Sequence, residues 1–305
     1  MRDQATYGSK TTARHWLAVT RPVFLLGSVP LALLGTSLAW ADGFFNLDYA
    51  VLAFLGLLLW HSSANVLNEY YDYASGIDAE TTRTPFSGGS GILAAHNLGA
   101  RAVLTLGLLL FALALPIWTF FVIAKGPLLL PVLVLAGICV LAYTPVFAKH
   151  RLAEVSSGIG IGVLPVLALY YVQSGSYSVE AVVCAVGAGI LMFNVHLLNE
   201  FPDVEADARG GRRTLPIVFS RSKASWVLAA GVFAFYAWVG IWVAARIVPY
   251  TALFSFLTIP LAILVTYRSF SYRDQTRFVP TLWVGAVTYF LSVTILALAL
   301  VAGHA

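Results

Sequence analysis

Charge is what this 305-residue chain has least of: Asp, Glu, Lys and Arg make up 10% of it, against 59% hydrophobic residues and a mean hydropathy of +0.83. A water-soluble domain with one core could not carry that composition without large exposed apolar patches, so a soluble fold is excluded. Cysteine is nearly absent as well. Cys139 and Cys184 lie inside apolar runs without metal-ligand spacing, which excludes a thiolate metal centre and leaves buried free thiols as the expectation. Residues 1–15 lack a short apolar core and a small-residue cleavage site, so no removable signal peptide is expected. No long linker or low-complexity stretch divides the chain, and one polytopic membrane domain over 1–305 is expected. The net charge of +4 is modest, and nothing in its distribution suggests a nucleic-acid partner.

What the chain does have is long apolar runs. Stretches able to cross a hydrocarbon core of about 30 Å fall near 16–41, 47–73, 102–124, 127–148, 153–173, 178–201, 224–246, 248–267 and 279–302, which predicts an all-α membrane protein of nine spans. The basic residues test that count. Arg2, Lys10, Arg14, Arg83, Arg101, Lys149, Arg151, Arg209, Arg212, Arg213, Arg221, Lys223, Arg268, Arg273 and Arg277 all fall on one side of such a bundle. The other side's loops hold Lys125 and Arg246, and Arg21 sits just inside the first span. Positive charge accumulates in cytoplasmic loops, so the N-terminus is expected inside and the C-terminus outside. The lipid bilayer is thus a partner throughout, with anionic headgroups attracted to the basic face.

Against this apolar background one polar phrase occurs twice. Leu67-Asn68-Glu69-Tyr70-Tyr71-Asp72 and Leu198-Asn199-Glu200-Phe201-Pro202-Asp203 each close a hydrophobic run, and each is followed by a further acid, Asp78 or Asp207. Ionisable groups cost several kcal/mol in hydrocarbon, so acids at such positions mark an interior or watery site. Asn65, Asn68, Glu69 and Asp72 share one stripe of a helix. Asn199, Asp203 and Asp207 recur every fourth residue, with Glu200 and Glu205 expected to turn away and Pro202 to kink or end the helix. Oxygen donors without His or Cys suit Mg²⁺, which keeps waters and is shared between a few carboxylates and substrate phosphate oxygens. Asn68, Glu69, Asp72, Asp78, Asn199, Asp203 and Asp207 are therefore the expected metal set, facing each other across a diphosphate. Lys149, Arg151, Arg212 and Arg213 lie on the same membrane side and are candidates for charge-assisted bonds to phosphate oxygens. Two longer segments at about 74–101 and 202–223 follow the phrases and are expected to cap the site.

The string Asn65-x-x-Asn68-Glu69-Tyr70-Tyr71-Asp72-Tyr73-x-x-Gly76-x-Asp78 resembles the first aspartate-rich motif of the UbiA superfamily of intramembrane prenyltransferases. Its wide final gap is more similar to the MenA-type branch, which prenylates dihydroxynaphthoate. Asn199-Glu200-x-x-Asp203-x-Glu205-x-Asp207 with Gly210-Gly211-Arg212-Arg213 resembles the second motif, and Arg21-Pro22 and Tyr143-Thr144-Pro145 with Lys149 and Glu154 fit the same pattern. The resemblance covers about residues 20–220. It implies nine helices around a central cavity open laterally to lipid, and it departs from the usual pattern at Glu69, where many members carry Asp.

The expected chemistry is Mg²⁺-assisted loss of diphosphate from an isoprenyl diphosphate and capture of the allylic cation by an aromatic acceptor. Asp72 and Asp203 would carry the metal, Tyr143 offers a π-face to the cation, and His196 is a candidate base. A terpene cyclase of the same superfamily would keep the site and lose the acceptor. A cation-coupled transporter would instead need polar groups at the bilayer midplane of several spans, whereas here they gather at one end.

Overall fold

The computed structural model describes residues 12–77, 84, 86, 88–273 and 275–304, with backbone alone at 275–277. Asp78 and Arg83 lie outside the described residues. Among those described no strand occurs. The chain enters through two short helices, α1 (Ala13–Val19) and α2 (Pro22–Leu25), and then runs through α3 (Ser28–Ala41), α4 (Leu47–Ser75), α5 (Ala100–Lys125) and α6 (Leu130–Ala142). Next come α7 (Ala153–Ser157), a π-helical turn Gly158–Val163, α8 (Leu164–Ser174) and α9 (Val179–Asn199). The short α10 (Val204–Arg209) and α11 (Leu215–Phe219) precede α12 (Arg221–Ala244), a 3-10 run Tyr250–Thr258, α13 (Ile259–Ser269) and α14 (Gln275–His304).

Helix starts follow from the sequence. Asn46 accepts from the Tyr49 N–H at 2.9 Å to begin α4, and Ser178 accepts from Ala181 N–H at 3.1 Å to begin α9; such caps contribute about 1 kcal/mol each. Gly76, in the left-handed region at φ 80°, ends α4, a conformation that glycine takes without a Cβ clash.

Eight helical segments are long and apolar enough to cross a membrane among the described residues. The remaining expected span, near 127–148, is represented by a shorter helix. There Pro127–Ala142 is a shorter apolar helix, because the chain leaves α6 at Tyr143 ahead of Pro145 and makes only a 3-10 turn at Phe147–Lys149. The first span also begins later than expected, at Pro22 rather than residue 16. Arg21 stands there at φ 51°, and the proline that follows disfavours a continuous helix through residue 21.

Small residues set the packing. Hydrophobicity supplies no drive between helices in lipid, so close backbone approach matters more. Gly56 of α4 lies against Trp118 of α5, while Gly107 of α5 lies against Leu67 of α4. Gly162 in the π turn faces Gly189 of α9 so closely that a Cβ there would stand 2.5 Å from the Gly189 Cα. The last span, α14, packs on α3 of the first, which closes the helices into a ring around a cavity.

Candidate active site

The cavity has a volume of about 610 Å³ and is lined from α2, α3, α4, α6, the π turn, α9 and α14. Its polar residues converge at the end where α4 and α9 terminate. Asn65, Asn68 and Asp72 reach it from α4, spaced by the helical period, and Asn199, Asp203 and Asp207 reach it from the end of α9 and from α10. Pro202 sits in the break between those two helices. That break changes one expectation: Glu200 lines the cavity and is buried, because the chain turns after Asn199 instead of continuing the helical period. Glu205 does face outward, paired with Arg221 at 2.5 Å.

Arg212 ties the two halves together. It lies in the loop after α10 with its side chain 13% exposed, and forms ion pairs with Asp72 and, at 3.1 Å, with Asp207. Burial opposes its charge, but Asp72 and Asp207 outweigh that cost and hold its pKa above the usual arginine value. Burial also pushes Asp207 up to about 6, with Arg212 acting in the opposite direction. On the other flank, Arg21 Nη1 donates to Asn68 Oδ1 at 3.1 Å and Asn68 Nδ2 donates to Thr144 Oγ1 at 3.2 Å. Asn65 Nδ2 donates to the Thr20 carbonyl at 2.9 Å. The asparagines thus fix the connection before Pro22 and the turn after α6 against α4.

Tyr143 and His196 also line the cavity, with the phenol oxygen 2.5 Å from His196 Nε2, and Glu200 lies 3.1 Å from the same nitrogen. Burial, then the Glu200 charge, keeps the Tyr143 hydroxyl protonated far beyond its ordinary range. Burial and the neighbouring Glu154 carboxylate likewise raise Glu200 well above a normal acid. Glu154 is fully buried and accepts from the Leu215 N–H at 2.5 Å, which anchors α11 to α7.

Not every expected residue reaches the cavity. Glu69 is fully buried and bonded to Ser90 and Arg21, outside the lining. Lys149, Arg151 and Arg213 are exposed and do not line it, although the Arg213 N–H holds the Ala148 carbonyl at 2.8 Å. Conversely, His61 and Ser157 are cavity residues that sequence reading missed. His61 sits four residues before Asn65 and bonds Ser28 Oγ at 2.8 Å, so extending the Asn65 stripe by one turn would have found it. Ser157 has a buried hydroxyl without a partner among the described residues, and only the π turn beside it explains its direction.

The donor set fits a hard divalent cation: carboxylate and amide oxygens gather at one end, and Asp72 and Asp207 are already arranged around a positive charge. Among the described residues no three His, Cys, Asp or Glu side chains form a cage by themselves. Mg²⁺ does not need one, since it takes one or two carboxylates together with substrate oxygens. Beyond the polar end the lining is apolar. Phe86 packs edge-on against Trp283 at 4.7 Å, and Leu26, Trp283 and Val287 line the cavity as well.

Comparison with known proteins agrees with this geometry. The chain is 30% identical over 236 residues to the 1,4-dihydroxy-2-naphthoate octaprenyltransferase of Bacillus subtilis, covering 72% of this chain and 71% of that one. It is 24% identical over 274 residues to the 2-carboxy-1,4-naphthoquinone phytyltransferase of Synechocystis sp., covering 87% and 85%. Its fold matches that of a UbiA homolog from Archaeoglobus fulgidus bound to GPP and Mg²⁺, with a TM-score of 0.62 at 17% identity over 92% of this chain and 99% of that one. A digeranylgeranylglyceryl phosphate synthase matches with a TM-score of 0.61 at 16% identity, over 95% and 98%. The profile of the UbiA prenyltransferase family matches residues 28–282, and with the twin acidic helix ends brought to one cavity, the chain belongs to that family of membrane prenyltransferases.

Proposed function

We propose that this protein transfers an isoprenyl group from a prenyl diphosphate to an aromatic acceptor of the naphthoate type, a step in menaquinone-type biosynthesis, and that the transfer depends on Mg²⁺. The observation that carries this reading is the cavity itself: Asn68, Asp72, Asn199, Asp203, Asp207 and Arg212 at one end, and apolar walls beyond. A diphosphate head fits the first part and a prenyl tail the second. The naphthoate-prenylating relatives support the acceptor class.

Asp72, Asp203 and Asp207, with Asn68 and Asn199, would hold the metal, and Asp78 completes the proposed set. Bound there, Mg²⁺ supplies positive charge that stabilises the diphosphate as its bond to the allylic carbon breaks. Arg212 and Arg21 face the same space and neutralise the phosphate oxygens from two sides. The π-face of Tyr143 lies against the reacting carbon and favours its positive charge. A ring carbon of the acceptor then bonds to the allylic carbon, and the proton displaced passes to His196, which Tyr143 and Glu200 orient. The apolar wall keeps water from capturing the cation. We place the polar end, the 74–101 and 202–223 segments and the N-terminus on the cytoplasmic side, from the Lys and Arg distribution.

The test is product analysis by mass spectrometry with purified protein, Mg²⁺ and geranylgeranyl diphosphate, with and without 1,4-dihydroxy-2-naphthoate. A prenylated dihydroxynaphthalene product, or the quinone that air oxidation makes of it during work-up, formed only with the acceptor, is the expected result. Diphosphate release with hydrocarbon or alcohol products alone would replace this reading with a cyclase, and no Mg²⁺-dependent consumption at all would refute it.

A further inference from the structure

We propose that Glu69 is a positioning residue, which aims Arg21 into the cavity and pins the Gly88–Gly91 loop as its wall, and is not a ligand of the metal; this rests on the prenyl-diphosphate reading above. Glu69 lies directly after Asn68 in the acidic phrase, yet its side chain is fully buried and turned out of the cavity. Both carboxylate oxygens accept from the Ser90 N–H at 2.9 Å, and the Ser90 hydroxyl donates to Oε1 as well. Gly88, Gly89 and Gly91 take φ of 76°, 64° and 78° around this contact. Only glycine adopts such angles freely, and a run of them curls backbone N–H groups around an anion. Here the N–H so directed is that of Ser90, and the anion is Glu69.

The loop so held is part of the site, because Gly88 and Gly89 line the cavity. The second partner of Glu69 is Arg21, whose Nε stands 3.4 Å from Oε2. Arg21 Nη1 is engaged by Asn68, and Nη2 has no partner among the described residues although the side chain lines the cavity. Two of the three guanidinium nitrogens are thus held by α4, and the guanidinium carbon lies 5.6 Å from the Phe24 ring centroid, which leaves the side chain as part of the cavity wall. Arg21 also sits at φ 51°, a strained conformation for a non-glycine residue that persists only where its surroundings hold it. A carboxylate consumed by these contacts has no lone pairs directed at a cavity ion.

The experiment compares Glu69→Asp, Glu69→Ala and Ser90→Ala in the full-length detergent-solubilised protein. Glu69→Asp keeps a carboxylate able to bind metal and shortens only its reach; Ser90→Ala deletes one loop contact and leaves α4 intact. Hydrogen exchange of the peptide covering Gly88–Leu93 should speed up roughly tenfold in both Glu69 variants and less in Ser90→Ala. Mn²⁺ affinity in the presence of inorganic pyrophosphate, read by electron paramagnetic resonance, should stay within about twofold of wild type, while KM for prenyl diphosphate rises roughly tenfold and kcat falls less. Unchanged exchange in Glu69→Ala, a tenfold loss of Mn²⁺ affinity, or full function in Glu69→Asp with an undisturbed loop would each overturn the proposal. If the wild type consumes no prenyl diphosphate, the transferase reading fails, and exchange and Mn²⁺ affinity still decide the role of Glu69.

Discussion

Arg212 joins acids that the chain contributes from its two halves, Asp72 at the end of α4 and Asp207 in α10. Removing one member of a buried ion pair leaves an uncompensated charge, so Arg212→Ala should cost about 3 kcal/mol of stability, visible as a lower denaturation midpoint in detergent, and Arg212→Lys should fall between. Asp72→Ala acts differently. It removes a proposed metal donor from the cavity along with one partner of Arg212, so turnover should fall roughly a thousandfold or more, while the loss of stability stays smaller than in Arg212→Ala because Asp207 still pairs with Arg212. Retained turnover in that variant would remove Asp72 from the site. The contrast between Glu69 and Asp72 is a residue-scale lesson too. Both belong to one helical stripe in sequence, but a helix face is wide, and the position of Ser90 decides that Glu69 turns sideways while Asp72 points inward.

At the scale of elements, the π turn between α7 and α8 carries the site's far wall. Glycines at 158, 160 and 162 allow it to lie directly against Gly189 of α9 and Cys139 of α6. A larger residue has nowhere to go, because the opposing atoms at Gly162 are backbone. Gly162→Leu should therefore destabilise the protein by about 1–3 kcal/mol and push Ser156 and Ser157 away from the cavity; a melting curve and the KM for the acceptor would report both. Most element boundaries follow from the sequence because caps, glycines and prolines act locally. The exceptions have local causes as well: Pro22 and the conformation of Arg21 break the first span, and Pro145 cuts the fourth short. The π turn is different, since nothing in Gly158-Ile159-Gly160-Ile161-Gly162 by itself requires it; close packing on α9 accompanies it.

For the whole molecule, orientation and metal dependence can be checked directly. Single cysteines placed before α1 and after α14, in a Cys139→Ala, Cys184→Ala background, should be labelled by a membrane-impermeant maleimide only at the C-terminal position in intact cells, as the Lys and Arg asymmetry requires. Chelation of divalent cations should abolish turnover, and added Mg²⁺ should restore it without refolding, since helix packing and the Arg212 ion pairs hold the site together. Activity retained in chelator would refute the metal assignment.

Sequence by itself determined the membrane class, most of the spans, the twin acidic helix ends and the family, because each rests on hydropathy over a long window or on residues close together in the chain. It also marked Asn65, Asn68, Asp72, Asn199, Asp203, Asp207 and Arg212, all of which reach one cavity. Only the tertiary structure decided which polar groups face that cavity and which do not. Glu200 enters it because the helix stops at Asn199; Glu69 leaves it because Ser90 and Arg21 claim its oxygens; Lys149, Arg151 and Arg213 stay outside although they are near in sequence. Side-chain direction at a helix end depends on what packs there from distant parts of the chain, and no periodicity within one helix contains that information.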